Sequence, residues 1–196
     1  MTFKEVGYDW LGWNQSLLLS INHGLPDELR PFALVGSALG NYWAAPLVLA
    51  ALLWWSRRSQ DESRRAAIRR QAYAFGASFL LAFAAAALLK WGLDLPRPAG
   101  ALGAAVRTLV PEETRHAFPS GHSLYAAVVA SALWPLAHLM ARLMLILGVL
   151  WVGYSRVALG AHFPADVVGG WLLALACACA SHIAVQRLTG SGRQAA

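Results

Sequence analysis

Apolar runs about as long as a bilayer's hydrocarbon core is thick leave this chain few folds. Residues 32–55, 71–93, 120–139, 142–158 and 164–186 consist largely of Leu, Ala, Val, Ile, Trp and Phe, with few charges among them. A helix needs about 20 apolar residues to cross roughly 30 Å of hydrocarbon. In lipid every backbone N–H and C=O must be bonded within the protein, and unbroken apolar runs of this length specify helices. The sequence therefore predicts an all-α protein: a polytopic membrane helical bundle with five to six transmembrane helices, forming a single domain over residues 1–196. At 58% hydrophobic and 13% charged, the composition excludes an ordinary soluble domain.

The count of five or six turns on the N-terminal stretch. Residues 9–25 set Trp10, Trp13, Leu17, Leu18, Ile21 and Leu25 at helical spacing, with Asn14, Gln15, Asn22 and His23 on other faces. This is the pattern of an amphipathic helix lying in the interface; an imperfect sixth span is the alternative. The first eight residues are polar and lack an apolar run with a cleavage site, so no removable leader is expected. Cys177 and Cys179 lie two apart in an apolar run, point in different directions on a helix, and read as buried thiols, not as a disulfide or metal site. Gly169 with Gly170, and the alanines at 82 and 84–87, offer small side chains for close helix packing. Asn41, inside the first run, suggests an interhelical hydrogen bond.

A net charge of +6 would suggest nucleic acid in a soluble protein, but here its distribution matters more. Segment 56–70 carries six arginines (57, 58, 64, 65, 69, 70) against Asp61 and Glu62 and reads as a cytoplasmic loop. The tail at 188–196 is expected on the same side. The 94–119 connection balances Asp94, Glu112 and Glu113 with Arg97, Arg107 and Arg115, and residues 1–31 carry a net −2, so neither opposes translocation. With five spans, the balanced loop and the polar stretch 155–166 share the outer face.

Three polar clusters then meet there: Lys90 with Arg97-Pro98, Pro119-Ser120-Gly121-His122, and Ser155-Arg156 with His162 and Asp166. Pro164 suits the first turn of the last helix. Asp166 follows in that turn, four residues from His162. A carboxylate that holds one imidazole nitrogen leaves the other aimed and basic, although a His–Asp pair can equally cap a helix and do no more. Lys90, Arg97, Arg156 and His122 around His162 call for an anion, and arginine forks match phosphoryl oxygens in pairs. Backbone N–H groups at the start of the 120–139 run, with Ser120 and Gly121, face the same spot.

Together Lys90-x6-Arg97-Pro98, Pro119-Ser120-Gly121-His122 and Ser155-Arg156-x5-His162-x3-Asp166 resemble the three-part signature of the type 2 phosphatidic acid phosphatase superfamily, over about residues 75–187. The resemblance implies a metal-independent, cofactor-free phosphatase with a phosphohistidine intermediate. His162 would attack phosphorus, Asp166 would hold it in line, and His122 would protonate the leaving oxygen and then assist water. Lys90, Arg97, Ser120, Gly121 and Arg156 would bind the phosphoryl oxygens. Arg107, Arg115 and His116 in the 94–119 loop are candidates for a substrate headgroup or second phosphate.

The implied partners are a lipid phosphate or diphosphate substrate and membrane lipids, with no nucleic acid. Undecaprenyl diphosphate is the expected substrate, in a bacterial inner membrane with the site facing the periplasm. Phosphatidylglycerophosphate, phosphatidic acid and lipid A phosphates are alternatives. A non-hydrolytic lipid-phosphate transporter and a lipid phosphotransferase are readings of other classes.

Overall fold

The computed structural model describes residues 8–111 and 113–191; Glu112, Arg193 and the last five positions of the expected tail lie outside the described residues. The chain is helical: α1 (Trp13–His23), α2 (Arg30–Leu39), α3 (Ala45–Arg58), α4 (Glu62–Leu93), α5 (Pro98–Leu102), α6 (Gly121–Leu133), α7 (Leu139–Ala158) and α8 (Pro164–Ser191). Helix α6 is the hub, packing against α4, α7 and α8, while α4 and α8 also pack on each other. Helix α3 lies on α4, α2 on α7, and α1 on α7 and α8. Phe75, Leu124, Tyr125 and Val128 fill the centre, joined by the small residues Ala72, Ala82 and Ala86 of α4.

Close approach of α6 and α8 depends on Gly170. A Cβ there would lie 2.7 Å from the Ser120 carbonyl oxygen and 3.1 Å from the Leu124 nitrogen. At Gly169 it would strike the Phe118 ring at 2.2 Å. The pair therefore packs closely, and what it packs against is the start of α6.

Several expected boundaries shift. The 56–70 loop shrinks to residues 59–61, because α3 continues through Arg58 and α4 begins at Glu62. Asp61 caps α4 by accepting from the Ser63 amide at 3.0 Å. The arginines thus ride on helix ends, where Arg58 covers Trp54 and Arg64 covers Trp55 at 5.4 and 5.8 Å from the ring centroids.

The 32–55 run is broken into α2 and α3, bent by 43°. Asn41 does not reach across helices; it accepts from the Trp43 amide at 3.1 Å and caps the next turn. The 120–139 run ends early: α6 stops at Leu133 and a 3-10 turn follows over Trp134–Leu136. Pro135 explains this, since it lacks an N–H and its ring collides with the carbonyl four residues back.

Residues 9–25 carry an α-helix only from Trp13, and two of the asparagines set on its polar faces pack inward beside the expected Leu18 and Leu25. Asn14, Leu18 and Asn22 are buried, whereas Trp13 and Leu17 are exposed. By length and composition Glu62–Ala105, Leu139–Ala158 and Pro164–Thr189 can each cross a membrane, and the α2–α3 pair makes a fourth candidate if its two bent halves are one span. An apolar groove of about 530 Å³ lies between α6, α7 and α8, lined by Ala127, Trp134, Leu150, Trp171, Leu175 and His182 among others.

Gly170→Ala is expected to lower the melting temperature in detergent, because backbone atoms must move by tenths of an ångström, at about 1–3 kcal/mol. Gly76→Ala in α4 meets nothing within 4 Å and is expected to stabilise by about 0.5–1 kcal/mol. Thermal unfolding of the two variants side by side checks both signs.

Candidate active site

The last turn of α7 and the first of α8 form a tight corner. Ser155 and Arg156 are buried, and the Arg156 carbonyl accepts from the amides of Ala161 and His162 at 3.0 and 3.2 Å. Gly160 allows the reversal: its φ is +73°, and a side chain there would press within 2.6 Å of the Arg107 carbonyl oxygen. Pro164 opens α8 as expected.

Asp166 then does two things at once. Its Oδ2 accepts from the Phe163 amide at 2.9 Å, which caps the helix, and lies 3.2 Å from Nδ1 of His162. Capping and holding the imidazole are therefore one arrangement, not alternatives. With Nδ1 facing the carboxylate, Nε2 of His162 is the nitrogen turned away from Asp166.

The second cluster is bonded to the first through the backbone. Ser120 donates its amide to the Asp166 carbonyl at 2.9 Å, so the start of α6 and the first turn of α8 are locked together. The Ser120 hydroxyl caps α6 and accepts from the Ser123 hydroxyl at 3.1 Å. The peptide before Pro119 is cis. At Gly121 a Cβ would meet only the Tyr42 ring, at 3.7 Å, so protein packing alone does not demand glycine. His122 stands edge-on to Tyr42, ring centroids 5.9 Å apart, and the backbone of Gly40 presses on it. That close approach is made at the break between α2 and α3.

The third cluster is tied down by the loop. Lys90 Nζ donates to the His116 carbonyl at 2.6 Å. Arg97 donates through Nε to the Arg115 carbonyl at 3.1 Å and forms an ion pair with Glu113. The Arg97 amide bonds the Thr114 carbonyl and the Ala117 amide the Leu95 carbonyl, at 2.9 and 3.0 Å, so the 94–119 connection folds back on itself. Arg115 pairs with Asp94, and His116 Nδ1 lies 3.2 Å from Asp94 and 3.0 Å from the Lys90 carbonyl. The guanidinium of Arg107 is engaged by Asp27 and the Leu25 carbonyl, fastening the loop to the N-terminal segment. All three headgroup candidates thus already have partners within the chain.

The three clusters converge on His162. Burial first, then the positive charges of Arg97, Arg156 and Lys90, and His122 beside them, hold its imidazole well below the ordinary histidine value. The ring is neutral at physiological pH, as a nucleophile or base requires. Arg156 completes the picture: one terminal nitrogen donates to the Ser37 hydroxyl, but its buried Nε has no acceptor among the described residues. A buried guanidinium N–H without an acceptor is costly, and an anion's oxygen would satisfy it. Among the described residues no three His, Cys, Asp or Glu side chains form a metal-holding group.

Sequence reasoning missed Tyr8, Asn14, Asn22, Ser37 and Tyr42. The Tyr8 hydroxyl donates to Asp166 Oδ1 at 2.8 Å. Asn14 accepts from the Ala165 amide at 2.9 Å. Asn22 donates to the carbonyls of Ala158 and Arg107 at 2.8 and 2.9 Å. Asn14, Leu18 and Asn22 recur every four residues, a spacing that would have marked one buried helix face. Tyr8 gives no such local signal.

Comparison with known proteins agrees with the geometry. The sequence pattern of the PAP2 superfamily matches residues 71–189. The chain belongs to this superfamily, the type 2 phosphatidic acid phosphatases. Among its relatives, an undecaprenyl-diphosphatase of Sulfolobus acidocaldarius is 29% identical over 166 residues, covering 83% of this chain and 74% of the relative. Phosphatidylglycerophosphatase B of Escherichia coli is 34% identical over 83 residues, 40% of this chain and a third of that protein's length. In three dimensions, the crystal structure of Aquifex aeolicus LpxE matches with a TM-score of 0.73 at 27% identity, over 86% of this chain and 94% of that one. The protein is thus a membrane member of a lipid phosphatase family.

Removing a cation should release the imidazole. Arg97→Gln is expected to raise the His162 midpoint, because the imidazolium then forms against less positive charge. Nitrogen-15 NMR of histidine-labelled protein in detergent reads this directly; the wild-type ring should still be neutral at about pH 6, below the usual midpoint near 6.5. A midpoint that stays put would mean the guanidinium does not face His162.

Proposed function

We propose that the protein hydrolyses a lipid diphosphate, undecaprenyl diphosphate, to the lipid monophosphate and phosphate through a phosphohistidine. The observation that carries this reading is the buried His162–Asp166 pair at 3.2 Å, with Lys90, Arg97 and Arg156 acting on the same imidazole. His162 Nε2 attacks the terminal phosphorus, forming a P–N bond as the bridging P–O bond breaks. His122 gives its proton to the bridging oxygen as it leaves on the lipid monophosphate, then accepts one from the water that attacks phosphorus and breaks P–N. Asp166 holds Nδ1 and offsets the charge that grows on the ring. Lys90, Arg97, Ser120, Gly121 and Arg156 receive the phosphoryl oxygens, and fixed cations do the neutralising that magnesium does elsewhere.

The choice of substrate is supported by the Sulfolobus relative, which matches along most of both chains. The shorter match to phosphatidylglycerophosphatase B favours phosphatidylglycerophosphate as the second candidate. We further propose that residues 1–196 form one domain with five crossings: the α2–α3 pair, α4, α6 with the turn after it, α7 and α8. The arginine-bearing ends of α3 and α4 then face the cytoplasm of a bacterial inner membrane, and the histidines face the periplasm. For Arg107, Arg115 and His116 to bind a second phosphate, that phosphate must compete with Asp27 and Asp94 for them. An Arg107→Ala, Arg115→Ala double variant with an unchanged preference between mono- and diphosphates removes the role.

Phosphate release by purified protein in detergent tests the reading. Turnover of undecaprenyl diphosphate, ahead of phosphatidylglycerophosphate and phosphatidic acid, is expected to persist in EDTA. It should vanish in His162→Ala and fall about 10²- to 10⁴-fold in His122→Ala. Lipid binding without release by the wild type, retained in His162→Asn, would point to a transporter instead.

A further inference from the structure

We propose that Tyr8 is a positioning residue for the reaction: its hydroxyl, by occupying the Asp166 oxygen that His162 leaves unused, sets how Asp166 holds the attacking imidazole. The inference rests on the reading of His162 as nucleophile. Tyr8 reaches across 158 positions of sequence to Oδ1 at 2.8 Å, while Oδ2 takes the Phe163 amide and His162. Asp166 is wholly buried, so without Tyr8 its Oδ1 would lose the one donor it has among the described residues.

The phenol is itself held firmly. Its ring, 7% exposed, stands edge-on to Phe118 and Phe163, both at 6.2 Å between centroids. Phe118 directly precedes the Pro119 cluster and Phe163 directly follows His162, so the ring is gripped by both halves of the site. Burial and the Asp166 charge, with a contribution from Asp9, raise the phenol far above its ordinary range, and it remains a donor at every working pH.

A donor on Oδ1 does two things. It stops the carboxylate turning about its own axis, which would exchange the oxygens and lose the line to Nδ1. It also draws negative charge away from Oδ2, so that the carboxylate orients the imidazole without pulling its proton across. The groups that act on His162 are Lys90 from α4, Arg97 at the start of α5, His122 from α6, Arg156 from α7 and Asp166 from α8. Tyr8→Phe changes none of these charges and keeps the ring between the two phenylalanines, so any shift in the titration of His162 reports the lost hydrogen bond.

The test compares wild type, His162→Ala, Tyr8→Phe and protein carrying 3-fluorotyrosine at position 8, all in one detergent, on a lipid diphosphate. Tyr8→Phe is expected to lower kcat about 10- to 100-fold with KM within about twofold, as for loss of a hydrogen bond to a charged group. Its acid limb in kcat/KM should move to higher pH by about one unit, because the less shielded carboxylate favours the imidazolium. The fluorinated phenol is a stronger donor and should move the limb the other way; it also carries the test if Tyr8→Phe does not fold. An unchanged kcat, or a lowered kcat with the acid limb fixed in both variants, overturns the proposal and leaves Tyr8 a packing residue. A wild type that releases no phosphate, or a His162→Ala that releases as much, removes the nucleophile reading and this inference with it. That failure is recognised before the Tyr8 variants are compared.

Discussion

The carboxylate of Asp166 is the point on which the structure depends. One oxygen binds the Phe163 amide and the His162 ring, the other the Tyr8 hydroxyl, and the same residue's carbonyl takes the Ser120 amide. One residue thereby joins the N-terminal segment, the start of α6, the corner after α7 and the first turn of α8. A buried carboxylate tolerates such a place only when its charge is distributed over donors. Each donor brings a segment with it, so satisfying Asp166 and assembling the site are the same process.

The cations follow the opposite logic. Lys90 and Arg97 gain carbonyls and Glu113 from the loop, and Arg156 gains Ser37 from α2, yet these partners do not neutralise three positive charges around a neutral imidazole. The fold holds the surplus by fixing each cation on a different element, so that no one helix bears the full repulsion. An arrangement that is under-neutralised when free binds an anion without having to reorganise, which is the condition for electrostatic catalysis of phosphoryl transfer.

The helical class, the membrane setting and the three clusters were legible in the sequence because apolar length and short-range spacing are local properties. Lys90, Arg97, Ser120, His122, Arg156, His162 and Asp166 each fall at the end of an apolar run, where a polar residue needs a reason. What escaped was long-range. Nothing near Tyr8 indicates that it meets Asp166. The asparagines of α1 read only as polar residues on the other faces of an amphipathic helix because their partners, the amide of Ala165 and the carbonyls of Ala158 and Arg107, are brought to them by the tertiary fold. Boundaries moved for local reasons that were present but underweighted: Pro135 ended α6, and Asp61 capped α4 in the middle of an arginine run.

The break in the first apolar run shows how irregularity serves the site. An unbroken helix over 32–55 would carry its side chains past α6 at a constant pitch. The bend at Gly40 instead lets its bare backbone touch His122 and Val152, puts the Tyr42 ring beside both His122 and Gly121, and leaves Ser37 one turn back to receive Arg156. The short α6 belongs to the same design. With only 13 residues, about 20 Å of helix, it starts beside the fully buried Ser120, whose amide is bonded to the first turn of α8. Burial of that kind gives the dipole of a helix start and a neutral histidine their effect, since water at the surface would screen both.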